Sequence, residues 1–282
     1  MHTPVLLQQA IESLNIKKGG LYIDATFGEG GYSREIVKRG GKVLAIDWDI
    51  DQISKAGHPD RSGGILARND IIFVNGNFAD IEKIAKENNF FPVDGVVFDL
   101  GLSMGQISES GRGFSYKKLN EPLDMRMNND IEKNASDLVN SLNMNDLYQL
   151  LAKNSEELRS KEIALEIIKS RHIRKINTVS DLVHIIDRVA GEKDNRIYRR
   201  IFQALRIEVN NEFNNLKKGL FGAVSILKKD GRIVVVSFHS LEDRIVKNFV
   251  KNNQFKFLEK KPIVNKFGPS YERSAKLRII TL

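Results

Sequence analysis

Apolar runs and turns alternate along the first hundred residues. Leu21-Tyr22-Ile23-Asp24-Ala25 is a short apolar run ending at a glycine-rich turn, and the segment after Ser33 places Ile36 and Val37 in a helix. Lys42-Val43-Leu44-Ala45-Ile46-Asp47 repeats the run, and Ile71-Ile72-Phe73-Val74 and Val93-Asp94-Gly95-Val96-Val97-Phe98-Asp99-Leu100 follow as third and fourth. Short, nearly continuous apolar runs are what strands buried on both faces look like, with helices fitting between them. The expected fold is an open, mostly parallel α/β sheet.

From about residue 106 to about residue 206 the alternation gives way to helical spacing. The expected organisation is one α/β domain, residues 1–105 with 207–282, carrying a helical insertion over 106–206 that would recognise the substrate. Inside the insertion, Thr178-Val179-Ser180-Asp181 predicts a capping box opening a helix with Leu182, Ile185, Ile186 and Val189 inward. Beyond it, Val209, Phe213, Leu216, Leu220, Val224 and Leu227 form one stripe, read as a single long helix that stops at Asp230-Gly231. That turn feeds a fifth strand over Ile233-Val234-Val235-Val236-Ser237-Phe238. Ser240-Leu241-Glu242-Asp243 resembles a capping box for a helix carrying Ile245, Val246, Phe249 and Val250. Phe255-Lys256-Phe257-Leu258 and Lys276-Leu277-Arg278-Ile279-Ile280-Thr281 would close the sheet as an antiparallel edge.

Ligands of such sheets sit beyond the carboxyl ends of the strands, at the switch point of the strand order. Asp24, Asp47 and Asp99 all fall at those ends. One such aspartate is equally a helix cap, whereas three on one rim favour a ligand. In Gly28-Glu29-Gly30-Gly31 the glycines let the backbone approach a ligand and turn N–H groups toward it at a helix start. Asp47 follows at a distance suited to ribose hydroxyls. The third glycine of a dinucleotide loop is not in place, so a nucleoside without a pyrophosphate fits better than NAD. Phe78, after the third run, is either a face for adenine or a core aromatic.

A net charge of +8 makes polyanions the natural partners, although a Lys-rich composition also follows genomic base content. Arg196, Arg199 and Arg206, with Gln203 among them, form a stripe that is either a phosphate contact or a solvated helix face. Arg171, His172, Arg174 and Lys175 add charge to the same insertion and favour nucleic acid. The chain has no cysteine, which removes disulfides, thiolate metal sites and a cysteine nucleophile. No metal-binding set is assigned. The first residues lack a basic leader and a long apolar run, so a cytosolic protein with no membrane partner is expected.

These residues carry a resemblance over nearly the whole chain. The matching segments include His2-Thr3-Pro4-Val5-Leu6-Leu7, the Asp24 to Ser33 loop, Ala45-Ile46-Asp47-Trp48-Asp49, Asp99-Leu100-Gly101-Leu102-Ser103 and Arg112-Gly113-Phe114-Ser115. Pro122-Leu123-Asp124-Met125-Arg126-Met127, Phe202-Gln203-Ala204-Leu205-Arg206-Ile207, Ser237-Phe238-His239-Ser240-Leu241-Glu242-Asp243-Arg244 and Arg273-Ser274-Ala275-Lys276-Leu277-Arg278 complete the set. In this order they resemble the bacterial S-adenosylmethionine-dependent family that methylates the exocyclic N4 of cytosine 1402 in 16S ribosomal RNA. The resemblance implies a class I methyltransferase sheet and cofactor contacts at Gly30, Gly31, Tyr32, Asp47, Phe78, Asp99 and Gln106. Tyr32 stands where many members have His, Met104-Gly105 replaces Ser-Pro, and Arg196-Ile197 replaces His-Pro.

An exocyclic amine is a poor nucleophile because its lone pair is delocalised into the ring. Its methylation therefore needs alignment with the methyl donor, and acceptors for its N–H groups, more than a strong base. A covalent C6 adduct, the route to C5 methylation, would need a cysteine. Candidate acceptors are Asp124, His239, Glu242 and Asp243, with Arg126 holding a phosphate or the base O2. Ser240 and Asp243 equally suit a helix cap, and Asp124 with Arg126 a structural ion pair. A target cytidine in folded RNA would have to be splayed out to reach such a pocket. An NAD-dependent or nucleotide-sugar oxidoreductase on a similar sheet, and a non-catalytic RNA-binding protein, are the rival readings.

Overall fold

The computed structural model describes residues 4–56, 70–265 and 273–282; His2 and Thr3 lie outside them. The elements run α1 Leu7–Leu14, β1 Leu21–Asp24, α2 Gly31–Lys38, β2 Lys42–Asp47, α3 Ile50–Ala56 and β3 Ile71–Asn75. A short 3-10 turn at Phe78–Asp80 leads into α4 Ile81–Glu87, then β4 Val93–Asp99. Next come α5 Met104–Glu109, α6 Ala135–Ser141, α7 Met144–Ser155, α8 Ser160–Ile173, α9 Val179–Ala190 and α10 Asn195–Val209. The chain then returns through α11 Glu212–Ile226, β5 Leu227–Ser237, α12 Ser240–Asn252, β6 Lys256–Phe257 and β7 Lys276–Thr281.

Two compact units result, residues 1–102 with 213–282, and residues 103–212. In the first unit seven strands form one sheet in the order β3-β2-β1-β4-β5-β7-β6. β1 to β5 pair in parallel, whereas β7 runs antiparallel to both β5 and β6, the edge expected from the late apolar runs. The strand order reverses between β1 and β4, which is the switch point of a doubly wound sheet.

The central stretches of β1, β2, β4 and β5 are almost continuously apolar because both faces are covered. On one face Ile23, Leu44, Val96, Phe98, Ile233 and Val235 meet α4, α11 and α12 through Ile81, Leu216, Leu220, Val246 and Phe249. On the other, Tyr22, Val43, Val97 and Val234 meet α1 and α2 through Ile11, Leu14, Tyr32 and Ile36. Each fully buried Ile or Leu contributes about 1.5–3 kcal/mol relative to exposure, so the two layers fix which face of every strand points where.

One long helix was expected over the stripe from Val209 to Leu227, and the structure has two. α10 ends at Val209, and Asn211 takes a left-handed φ of 49° before α11 begins. The apolar spacing runs through the break because both helices bury that stripe. Nor does α11 stop at Asp230-Gly231. It ends at Ile226, and β5 passes through those residues as an irregularity in its register against β4, between Val93↔Leu227 and Gly95↔Arg232. Lys228 inside it donates to Asp94 Oδ2 at 2.7 Å.

In the second unit α7 packs against α8 and α10, and α8 against α9. Thr178 caps α9 as expected, taking the Asp181 N–H while Asp181 takes the Thr178 N–H. No helix among the described residues is long and apolar enough to cross a membrane.

Candidate active site at the strand-end rim

β1, β2 and β4 each end on an aspartate, and each aspartate is held differently. Asp24 is buried and accepts the Ser33 N–H at 3.1 Å and the Ser33 hydroxyl at 2.6 Å, tying the glycine-rich loop to the first turn of α2. Burial pushes its carboxyl up to about 6, against the Ser33 and Thr26 hydrogen bonds. Asp47 Oδ2 accepts the Gly28 N–H at 2.7 Å, and its Oδ1 the Asp49 N–H at 2.8 Å. Burial pushes Asp47 up to about 7; the Asp49 and Asp24 charges add to this and the two N–H groups oppose it. Asp99 is pushed well above the usual carboxylate range by burial, then by the Asp24 and Glu242 charges. Its N–H donates to Thr26 Oγ1 at 2.7 Å. Among the described residues its buried Oδ1 has no hydrogen-bond partner, and neither has Asp24 Oδ1.

The loop between β1 and α2 needs glycine for reasons visible in its packing. Gly30 has a φ of +74°, and a Cβ there would meet the Phe27 ring at 2.6 Å. A Cβ on Gly31 would meet Pro4 at 2.2 Å. The space the sequence suggested for a ligand's approach is thus filled, at these two α-carbons, by the protein's own side chains. Tyr32 is likewise turned inward: it is buried, and its hydroxyl donates to the Val5 carbonyl at 2.8 Å. Only its backbone N–H, in the orphan first turn of α2, remains suited to a cofactor. Phe78, half-buried in the 3-10 turn, lies edge-on to Phe98 with ring centroids 5.6 Å apart.

After β5 the cap of α12 sits one residue earlier than the sequence suggests. His239, not Ser240, is the N-cap: its Nδ1 accepts the Glu242 N–H at 3.4 Å, and Glu242 Oε2 accepts the Phe238 and His239 N–H groups at 2.8 and 3.3 Å. With Nδ1 accepting, the neutral imidazole carries its proton on Nε2, so His239 offers a donor rather than the acceptor expected of it. Nε2 is buried 3.2 Å from Glu242 Oε1, outside hydrogen-bonding geometry. The Phe213 ring flanks the imidazole at 6.0 Å.

Asp243 points elsewhere. It is buried, Oδ1 accepts Arg278 Nε at 2.5 Å, and Lys276 and Lys247 lie 3.5 and 3.9 Å from Oδ2. Burial opposes its charge, but Arg278, Lys276 and Lys247 outweigh it and hold the carboxyl below the usual range. The residue joins α12 to β7 as a structural ion pair.

The remaining candidates lie in the second unit. Asp124 and Arg126 form a two-pronged pair, Nε to Oδ1 and Nη2 to Oδ2, both at 2.9 Å, and Arg126 Nη1 donates to the Ile131 carbonyl. Between them Met125 is fully buried with a φ of 63°. Gln106 completes the capping box of α5, its Oε1 accepting the Ser103 N–H at 2.9 Å. The basic stripe on α10 is partly engaged within the unit: Arg206 is clamped by Glu212 at 2.7 and 3.0 Å, Arg196 pairs with Asp194, and Gln203 turns to the Asn154 carbonyl, while Arg199 stays exposed.

Sequence reasoning passed over Thr26 and Phe213. The hydroxyl two residues beyond a strand-end aspartate was the available sign for Thr26, whereas nothing local marks Phe213. No group of three His, Asp or Glu among the described residues is arranged to hold a metal.

A doubly wound sheet with carboxylates at the ends of β1, β2 and β4 that make no ion pair among the described residues defines an enzyme class that binds a nucleoside or nucleotide at its switch point. The chain as a whole specifies more: it matches the MraW methylase family over residues 1–281 and belongs to that family. It is 40% identical to the ribosomal RNA small subunit methyltransferase H of Clostridium botulinum, over 99% of this chain and 97% of that one. The protein of the same name from Dictyoglomus thermophilum is 40% identical over 99% and 96%, and that of Cytophaga hutchinsonii 40% over 90% and 84%. The sheet is therefore a methyltransferase sheet, and the oxidoreductase reading is not favoured.

Proposed function

We infer that this chain transfers a methyl group from S-adenosylmethionine to the N4 of cytidine 1402 in 16S ribosomal RNA of the small subunit, in the cytoplasm. The observation that carries the reading is membership of the methylase family over the full length. The rim fits the cofactor. Each oxygen of Asp47 accepts one backbone N–H and retains a lone pair for a ribose hydroxyl. Asp99 Oδ1, buried and unpartnered, is placed for a donor on the bound ligand. Gly30, Gly31 and Tyr32 contribute backbone at the start of α2 and Phe78 an apolar edge, while Gln106 is assigned to the cofactor from its place in the family motif alone.

S-adenosylmethionine supplies an electrophilic methyl on a sulfonium; the chain's own residues bind, orient and exclude water. Asp47 fixes the ribose and with it the direction of the donor. His239 presents Nε2–H to an acceptor such as the base carbonyl, and Glu242 locks that ring by holding the backbone at residues 238 and 239. Asp124, itself fixed by Arg126, acts on the target amine or its flanking loop, while Asp243 positions α12.

The test is methyl transfer from labelled cofactor to ribosomal RNA of cells lacking the gene, followed by nucleoside mass spectrometry. One N4-methylcytidine at the expected position is the predicted product. Cofactor binding with no RNA methylation, or methylation of another atom, would overturn the reading.

A further inference from the structure

We propose that the end of α8 and the segment following it, from Lys169 to Lys175, is a docking surface for the sugar–phosphate backbone of RNA. The surface rests on the RNA substrate inferred above and goes beyond it by naming where the chain grips that substrate.

The insertion unit has many cations, and the structure divides them. Arg126, Arg174, Arg188, Arg196, Arg200 and Arg206 each pair with a carboxylate of the unit. Any of them must exchange that partner to bind a phosphate, which cancels much of the gain. Lys169, His172 and Lys175 are exposed and have no hydrogen-bond or ion-pair partner among the described residues. They stand within seven residues, beside Arg174, which stays 77% exposed although paired with Asp181. The nearest acids are engaged as well: Asp181 accepts from Arg174 and from the Asn177 and Thr178 N–H groups, and Glu166 from Arg188. Among these cations Ile173 is 90% exposed, an aliphatic contact of the kind a sugar edge can cover.

The backbone under the patch is fixed in advance. Arg171 Nη1 donates to the Val139 and Leu142 carbonyls at 2.9 and 2.7 Å, pinning the helix end to α6. Asn140 receives the Ile176 N–H at 3.1 Å and donates back to the Ile176 carbonyl at 2.8 Å. Cations on a fixed backbone with no internal competitor bind phosphate with little ordering cost, and the counterions they release make that binding salt-dependent.

The experiment compares the wild-type chain, Lys169→Glu/Lys175→Glu, and the charge-matched control Lys153→Glu/Lys193→Glu. Affinity for in vitro transcribed 16S RNA is measured across about 50 to 200 mM salt, together with steady-state methylation. The patch variant is expected to lose about tenfold in affinity, with a log–log salt slope shallower by about 1.5–2. KM for RNA should rise with kcat little changed, while cofactor affinity stays at the wild-type value. Unchanged affinity and slope in the patch variant overturn the proposal, as does an equal loss in the control, which assigns the effect to bulk charge. A loss seen only with assembled subunits and absent with bare RNA also overturns it, in favour of a protein partner. A wild-type chain that neither binds nor methylates the RNA, bare or in assembled subunits tested alongside, falsifies the inferred function instead.

Discussion

The carboxylates of the strand-end rim and those of the insertion unit meet the same physical problem in opposite ways. In residues 103–212 Asp124, Glu157, Glu166, Asp181, Asp194 and Glu212 each meet an arginine, so their charge is settled inside the chain. At the rim Asp24, Asp47 and Asp99 form no ion pair among the described residues, the Arg34 charge only partly offsets the burial of Asp24, and burial drives all three carboxyls upward. A paired carboxylate stiffens structure and keeps fewer lone pairs for a ligand, so Asp124 can act on a substrate only from the fixed position that Arg126 gives it. One buried without a cation carries a desolvation cost that a ligand's donors relieve. Asp243 shows that position alone does not decide which kind a residue becomes. It belongs to the sheet unit, yet Arg278 makes it a member of the paired group.

Removing a partner from the paired group should have the largest effect. Asp243→Ala leaves Arg278 buried without its counter-charge and should cost about 3–5 kcal/mol in urea unfolding. A loss under about 1 kcal/mol would show that Lys276 and Arg278 find other partners and that the pair is dispensable. Asp47→Ala should instead spare stability and weaken S-adenosylmethionine binding about 100-fold by calorimetry, the worth of two hydrogen bonds to a charged acceptor. Equal affinity in that variant would remove the ribose from Asp47.

The pH dependence sharpens the same contrast. Asp24 at about 6 and Asp47 at about 7 lie above their unfolded value of about 3.9, so their contribution to ligand-free stability is greatest when both are protonated. It is lost as pH rises through 6 and 7. Cofactor binding runs the other way, because ribose hydroxyls favour the ionised Asp47. Affinity should rise about fivefold from pH 6 to pH 7 and level off above about pH 8, and Asp47→Asn should abolish the slope. A flat wild-type profile would mean that Asp47 is ionised throughout. The smallest effect is expected for Asp124→Ala: turnover down severalfold, with cofactor affinity unchanged. Weakened cofactor binding in that variant would contradict its assignment to the substrate.

Much of the sheet was legible because its cause is local. Apolar runs ending on Asp24, Asp47 and Asp99 mark strands buried on both faces, and the β1, β2 and β4 ends fall on those residues. The capping box at Thr178 was equally plain, since its two hydrogen bonds join residues three apart. The stripe from Val209 to Leu227 misled because apolar spacing reports which face is buried and not whether the backbone is continuous. The break at Asn211 depends on a single left-handed residue.

The glycine-rich loop, the acidic strand ends, the lack of cysteine and the family are properties of the sequence by itself, because each rests on residue type and order. Which acids are paired was decided only by tertiary structure. Arg278 reaches Asp243 across thirty-five residues of chain, and the neighbours that drive Asp99 upward include Glu242, from a distant part of the sequence. Whether a carboxylate is a brace or a ligand site depends on the dielectric and the charges around it, and those exist only once the chain has folded.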